Sequence, residues 1–375
     1  MEFTIHNNIL LAVVAIAAVM GAVANKTNFC TMGAVSDWIN MEDKGRLRAW
    51  LLAVAVALSG VLLLEVLGKV NLSGTTFPPY RTANFAWLRY LLGGIMFGIG
   101  MTLASGCGNK TLVRIGGGNL KSLVVLAIAS AMAYFMLWSD FYGIVFDSWM
   151  APLSVNLGAL GAKTQTLDGI LGGLAGMDDT GTLHVVLGGL LIVGILVFAF
   201  GSEEFRANRD NILGGVVIGL AVVAGWYLTG SAMGAEWKEW AEMADTPPSR
   251  VEVQSFTFIS PMGDSVRYLL HPGDWSLVNF GICALAGVIA GSFLYALLTR
   301  SFRIEWFVNA GDFANHAIGA VLMGVGGVLS MGCTVGQAIT GVSTLAVGSM
   351  LTFAAIVTGA AATMKFQYWK MMREA

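Results

Sequence analysis

Residues 93–111 read Gly93-Gly94-Ile95-Met96-Phe97-Gly98-Ile99-Gly100-Met101-Thr102-Leu103-Ala104-Ser105-Gly106-Cys107-Gly108-Asn109-Lys110-Thr111, and the fold turns on them. The stretch occurs twice: Gly319, Gly324, Gly326, Leu329, Gly332 and Cys333 stand in register with Gly93, Gly98, Gly100, Leu103, Gly106 and Cys107. An apolar, glycine-dotted helix ends both times in Gly-Cys, which marks an internal duplication built around a thiol.

The surrounding chain is a membrane protein by composition. Its 375 residues are 56% hydrophobic and 12% charged, with a mean hydropathy of +0.72, whereas about 25% of an average soluble domain is charged. The apolar residues come in repeated runs near the roughly 20 needed to cross a hydrocarbon core. The net charge of −2 says little about partners, because the distribution of charge among loops matters more than its sum. No basic region precedes the first run, so it is read as a retained span and not a signal peptide.

Spans are expected at 9–24, 49–67, 87–105, 123–138, 183–200, 212–228, 277–298, 315–330 and 345–361. Lys44, Arg46, Arg48, Lys110, Arg114, Lys121, Arg206, Arg209, Arg300, Arg303, Lys365, Lys370 and Arg373 crowd alternate loops. The segment 139–181 is acidic instead, with Asp140, Asp147, Asp168, Asp178 and Asp179 against Lys163 alone, and 235–275 forms a second acidic segment. Placing basic loops in the cytoplasm gives nine spans, the N-terminus outside and the C-terminus cytoplasmic. The chain divides into a first membrane repeat, 1–138, an acidic external segment, 139–181, and a second membrane repeat, 182–375, which contains the external segment 235–275.

In this topology the two Gly-Cys helices run in opposite directions, so the fold expected is an all-α polytopic membrane protein with an inverted internal repeat. A simple nine-span path leaves Cys107 on the inner face and Cys333 on the outer. Re-entrant helical turns that dip into the membrane bring them together, and this arrangement is favoured. Glycine at Gly106, Gly108, Gly332 and Gly336 is expected to supply the positive-φ backbone such turns need, and non-helical backbone at that depth must be buried in protein or line a cavity.

Four cysteines, Cys30, Cys107, Cys283 and Cys333, form no CxxC pair, so neither a metal site nor a disulfide framework is supported. Cys30, Cys107 and Cys333 end apolar runs beside polar residues or glycine; Cys283 lies inside a run and reads as filler. A thiol is polarizable and a weak donor, suited to a soft sulfur atom and poorly suited to hard oxyanions such as sulfate. Successive weak contacts suit transport, where an ion must bind and also leave. Lys26 and Lys110 attract an anion or snorkel to the interface. Asn109, Thr111, Thr334 and Gln337 offer donors, or satisfy the backbone locally. Glu65 near a span end is the main intramembrane acid, and His316 reads as a structural histidine more readily than as a proton carrier.

These residues resemble the YeeE/YedE family of bacterial inner-membrane proteins: Phe29-Cys30 after the first span, Gly106-Cys107 and Gly332-Cys333 at the ends of the repeated helices. The resemblance covers residues 9–364. It implies import of thiosulfate or a related sulfur-bearing ion through a pinched, pseudo-symmetric protein, with Cys30, Cys107 and Cys333 relaying the ion by S–H contacts. It also implies a cytoplasmic TusA-like sulfur-carrier protein as partner, and a selenium compound as an alternative substrate. The expected substrate-binding set is Cys30, Cys107, Cys333, Gly106, Gly332, Lys26, Lys110, Asn109, Thr334 and Gln337. No cofactor, metal, enzymatic activity or nucleic-acid partner is expected. The rivals from other classes are a thiol–disulfide electron relay and a persulfide-forming sulfurtransferase.

Overall fold

A computed structural model describes residues 5–177 and 179–374; Asp178 of the acidic segment lies outside them. Apolar runs long enough to span become helices, because in hydrocarbon only a helix or a closed barrel satisfies its own backbone. The first half runs α1 (Ile5–Lys26), α2 (Thr31–Met41), α3 (Gly45–Val66), α4 (Trp87–Leu103), α5 (Gly108–Gly116) and α6 (Leu120–Trp138). The one-turn α7 (Ser148–Met150) and α8 (Leu167–Leu174) lead to α9 (Gly181–Phe200) and a short α10 (Glu203–Ala207). The second half runs α11 (Arg209–Gly230), α12 (Ala232–Met243), α13 (Ile259–Leu270), α14 (Phe280–Leu298), α15 (Ala310–Leu329), a π-helical segment (Val335–Gly341) and α16 (Val347–Glu374). Among the described residues nine helical segments are long and apolar enough to cross a membrane, as expected.

The halves pack alike. α1 lies along α14 as α11 lies along α3; α4 lies along α16 as α15 lies along α6; α2 meets α16 as α13 meets α6. At the centre α4 and α15 cross antiparallel through their glycines. A Cβ on Gly93 would stand 2.8 Å from Gly326 O, and one on Gly319 would stand 2.6 Å from Gly100 O. The duplication that pairs Gly93 with Gly319 and Gly100 with Gly326 maps each of these contacts onto the other, the signature of a two-fold axis across the helix pair. α9 packs on α3 and has no counterpart in this scheme.

The basic loops gather on one face. Lys26 pairs with Asp210, Gly45 lies against Asn211, Arg303 N donates to Gly117 O at 3.0 Å, and Asn119 bonds Glu305. On the other face β1 (Thr76–Phe77) pairs parallel with β4 (Val253–Gln254), and β2 (Asn84–Phe85) pairs antiparallel with β3 (Val155–Asn156). The reading of 235–275 as external does not account for its second half. Residues 254–264 are buried in the protein, and α13 enters the interior as the counterpart of α2. Its sequence hid this, because a 12-residue amphipathic helix is too short to register as a span.

Candidate functional site

The same local device presents each of the three thiols. α1, α4 and α15 are followed by a residue with left-handed backbone, Asn28 (φ 52°), Ser105 (φ 58°) and Met331 (φ 61°), standing two positions before Cys30, Cys107 and Cys333. Phe29 N donates to Ala24 O at 3.2 Å, Gly106 N to Met101 O at 2.9 Å, and Gly332 N to Gly327 O at 2.7 Å. Each bond closes a Schellman turn that satisfies a late carbonyl of the helix. Cys30 and Cys107 are then the cap residues of α2 and α5, and Cys333 stands just before Thr334, which opens the π-helical segment. Cys30 Sγ accepts from Gly33 N at 3.4 Å and Cys333 Sγ from Gly336 N at 3.5 Å, while Cys107 holds the cap position of α5 without a side-chain capping bond. A thiol stands where Ser, Thr or Asp usually caps.

Positive φ was expected at Gly106, Gly108, Gly332 and Gly336, and the structure places it at Ser105 and Met331 instead. A Schellman turn needs its left-handed residue one position before the glycine that donates back. Gly336 serves close approach, since a Cβ there would collide with the side chain of Thr257.

The re-entrant turns bring the thiols together. Cys30 and Cys107 lie close to one another: Thr31 Oγ1, directly after Cys30, lies 4.0 Å from Cys107 Sγ. On the opposite side Thr334 lies beside the Cys107 thiol, and a Cβ on Gly108 would stand 3.9 Å from Cys333 Cβ. The order is therefore Cys30, Cys107, Cys333, with Cys107 in the middle. Cys107 is 1% exposed and Cys333 0%, so both thiols are sealed from solvent. On the face that carries the basic loops, Thr27, Phe29, Cys30, Arg46 and Asp210 line a crevice too narrow to admit a water molecule. Cys283 sits on α14, partly buried against the core.

The remaining expected residues divide. Lys110 Nζ donates to Asn28 Oδ1 at 3.2 Å, tying the Cys107 helix to the Cys30 turn. Lys26 stands at the rim, 3.7 Å from Asp210 Oδ1, and not at the thiols. Gln337 Nε2 donates to Ser330 O at 2.6 Å, and Thr111 Oγ1 to Cys107 O at 3.1 Å. His316 bonds Asp312 and packs edge-on to Phe307, a structural role. The buried oxygens Asn109 Oδ1, Thr334 Oγ1, Gln337 Oε1 and Thr257 Oγ1 have no hydrogen-bond partner. Sequence reasoning missed Thr31, Thr257 and the Arg46–Asp37 pair beside Cys30; for Thr31 the signal was its place directly after the cysteine.

The site is chemically simple. Helix N-termini turn N–H groups and the positive ends of their dipoles toward a shared point, where an anion is favoured. Soft S–H donors stand among them, with hydroxyls and amides close by.

The family model described as sulphur transport matches residues 26–362. The chain belongs to this family. It is 25% identical over 330 residues to the thiosulfate transporter TsuA of Escherichia coli K12, covering 85% of this chain and 84% of that one. It is 24% identical over 354 residues to the thiosulfate transporter TsuA of Spirochaeta thermophila, covering 90% of this chain and 93% of the relative. The family and these relatives are transporters, in keeping with a multi-pass membrane protein that is not an enzyme.

Proposed function

We propose that the protein imports thiosulfate into the cytoplasm across the inner membrane, passing it from Cys333 to Cys107 to Cys30 without covalent chemistry. One observation carries the reading: three thiols, each at the start of a short helix, are gathered where the turns after α1, α4 and α15 meet. The relatives named thiosulfate transporters support the substrate. The gathering of basic loops on the Cys30 side supports a cytoplasmic exit there and a cytoplasmic C-terminus.

Each S–H donates weakly to the terminal sulfur, while the helix ends offset the charge of a dianion taken out of water. No single contact is strong, so the ion is handed on instead of trapped. A membrane potential of 100 mV, negative inside, opposes an inward dianion by about 5 kcal/mol. Net uptake therefore depends on consumption of the ion inside or on a coupled cation. The resemblance adds a cytoplasmic TusA-like carrier as recipient.

Uptake of radiolabelled thiosulfate by cells lacking other sulfur importers tests the reading. Cys107→Ser and Cys333→Ser are expected to abolish it at equal expression, and Cys283→Ser to leave it intact. If all three variants transport normally, the thiols are packing and the relay fails.

The nearness of Cys30 to Cys107, both free thiols, favours one rival, a thiol–disulfide electron relay, which requires two neighbouring cysteines. A disulfide that forms and breaks in step with turnover, seen by mass spectrometry, would decide for it. Selenium compounds remain the alternative substrates of the same path.

A further inference from the structure

Four short helices point their N-termini at the centre, and thiols stand at the start of three of them. The fourth is α13, 12 residues long, whose cap position is taken by Phe258. In the repeat scheme α13 is the counterpart of α2, so Phe258 stands where the first half has Cys30. Ile259, the first residue of α13, and Cys333 both lie within 4 Å of where a Cβ on Gly108 would sit, so this helix starts beside the Cys333 turn, where Gly336 N donates to the Cys333 sulfur at 3.5 Å. This quarter of the pinch carries no thiol, and the side chain it brings is the hydroxyl of Thr257.

Thr257 is 4% exposed, and its Oγ1 is a buried oxygen without a hydrogen-bond partner. The segment leading into it is tied down at two successive residues. Ser255 Oγ donates to Val222 O at 2.8 Å and Thr340 Oγ1 to Phe256 O at 2.7 Å. Its oxygen faces the turn that carries Cys333, 3.5 Å from where a Cβ on Gly332 would sit, and the lack of a side chain at Gly336 leaves it room. A buried hydroxyl normally finds a partner. A fixed, unpaired one beside a helix N-terminus and a thiol is a donor waiting for an acceptor.

We propose that the Thr257 hydroxyl is a substrate contact, donating to an oxygen of the thiosulfonate group while Cys333 meets its terminal sulfur. The inference rests on the import reading above and adds the oxygen end of the ion to it. Thiols suit the soft sulfur and an O–H suits the hard oxygen, so the two together read both ends of one anion. At Cys30 a thiol caps the short helix, and there the ion leaves; at Thr257 a stronger donor fixes its orientation before the first transfer.

The test compares wild type with Thr257→Val, which keeps the shape and removes the donor, and Thr257→Ser, which keeps the donor. Hydrogen bonds to charged groups are strong enough that losing one raises KM for thiosulfate roughly tenfold or more, so Thr257→Val is expected to show that rise. Thr257→Ser is expected to stay near wild type. In detergent the three proteins are expected to melt alike without ligand, with the thermal shift given by added sodium thiosulfate reduced in Thr257→Val alone. A Thr257→Val KM within twofold of wild type overturns the proposal, and so does equal impairment of the Val and Ser variants, which would make the side chain a matter of packing. Folded wild-type protein that neither binds nor imports thiosulfate overturns the import reading itself, and the ligand named here with it.

Discussion

At the scale of the residue, the site is a set of backbone turns before it is a set of thiols. Ser105 and Met331 hold left-handed backbone that glycine adopts with little strain. Each is fixed by the turn on both sides: Ser105 O accepts from Arg114 Nη1 at 2.6 Å, and Met331 N donates to Val328 O at 3.0 Å. Ser105→Gly removes the strain and keeps the backbone bonds, so it is expected to stabilise the protein by about 1 kcal/mol. A higher melting temperature in detergent, with uptake unchanged, is the expected outcome. A fall would show that the Ser105 side chain contributes more than its backbone conformation loses. The position of the left-handed residue was not legible in the sequence, because the adjacent glycine is the natural suspect. Only the bond from Gly106 to Met101 shows that the turn sits one residue earlier.

At the scale of the element, distant segments are clipped together by one polar cluster. Arg81 forks onto Glu65 of α3 at 2.6 and 2.9 Å, and its Nε bonds Thr344 O at 3.3 Å, just beyond the Cys333 segment. His184 of α9 bridges Glu65 at 3.3 Å and Asp168 of α8 at 2.8 Å. Burial pushes the Asp168 carboxyl up, but the hydrogen bond from His184 and the charge of that imidazole outweigh this and hold it below its usual range. The folded state then binds fewer protons at Asp168 than the unfolded state does. Its stabilisation is present above the usual carboxylate pKa and is lost as pH falls through the lower folded value. Asp168→Asn is expected to lower the melting temperature at neutral pH, with the gap from wild type closing as pH drops below the carboxylate range; a gap constant with pH would mean that charge is not what matters. This cluster was illegible in sequence, where Asp168 was one of several acids in an external segment and Glu65 an isolated acid at a helix end. The spans were legible, since each long apolar run has only one way to satisfy its backbone in lipid.

At the scale of the whole molecule, the duplication read from Gly106-Cys107 and Gly332-Cys333 reappears as a packing rule, with α4 and α15 crossing on its axis. We take the repeating units to be α1 to α6 and α11 to α16, a narrower second unit than residues 182–375, with α9 as the span that lets the second unit enter the membrane inverted. An odd number of intervening crossings is what reverses the orientation of a repeat of four spans. The crossing is so close that glycine is required at it: a Cβ on Gly100 would stand 2.7 Å from Gly319 O and 2.8 Å from Met323 N. With backbone on both sides nothing can yield except the helices themselves, and overpacking of this type costs about 1–3 kcal/mol. Moving α4 against α15 also displaces both Gly-Cys turns, because each turn is the end of one of these helices. Gly100→Ala and Gly319→Ala are therefore each expected to lower the melting temperature and to reduce uptake together, and by similar amounts, since the axis exchanges the two sites. Gly189→Ala on α9, where a Cβ would meet nothing within 4 Å, is the control and is expected to do neither. If Gly100→Ala impairs uptake and Gly319→Ala does not, the two Gly-Cys helices do not act as equivalent halves of the pinch, and the symmetry of the packing does not extend to the mechanism.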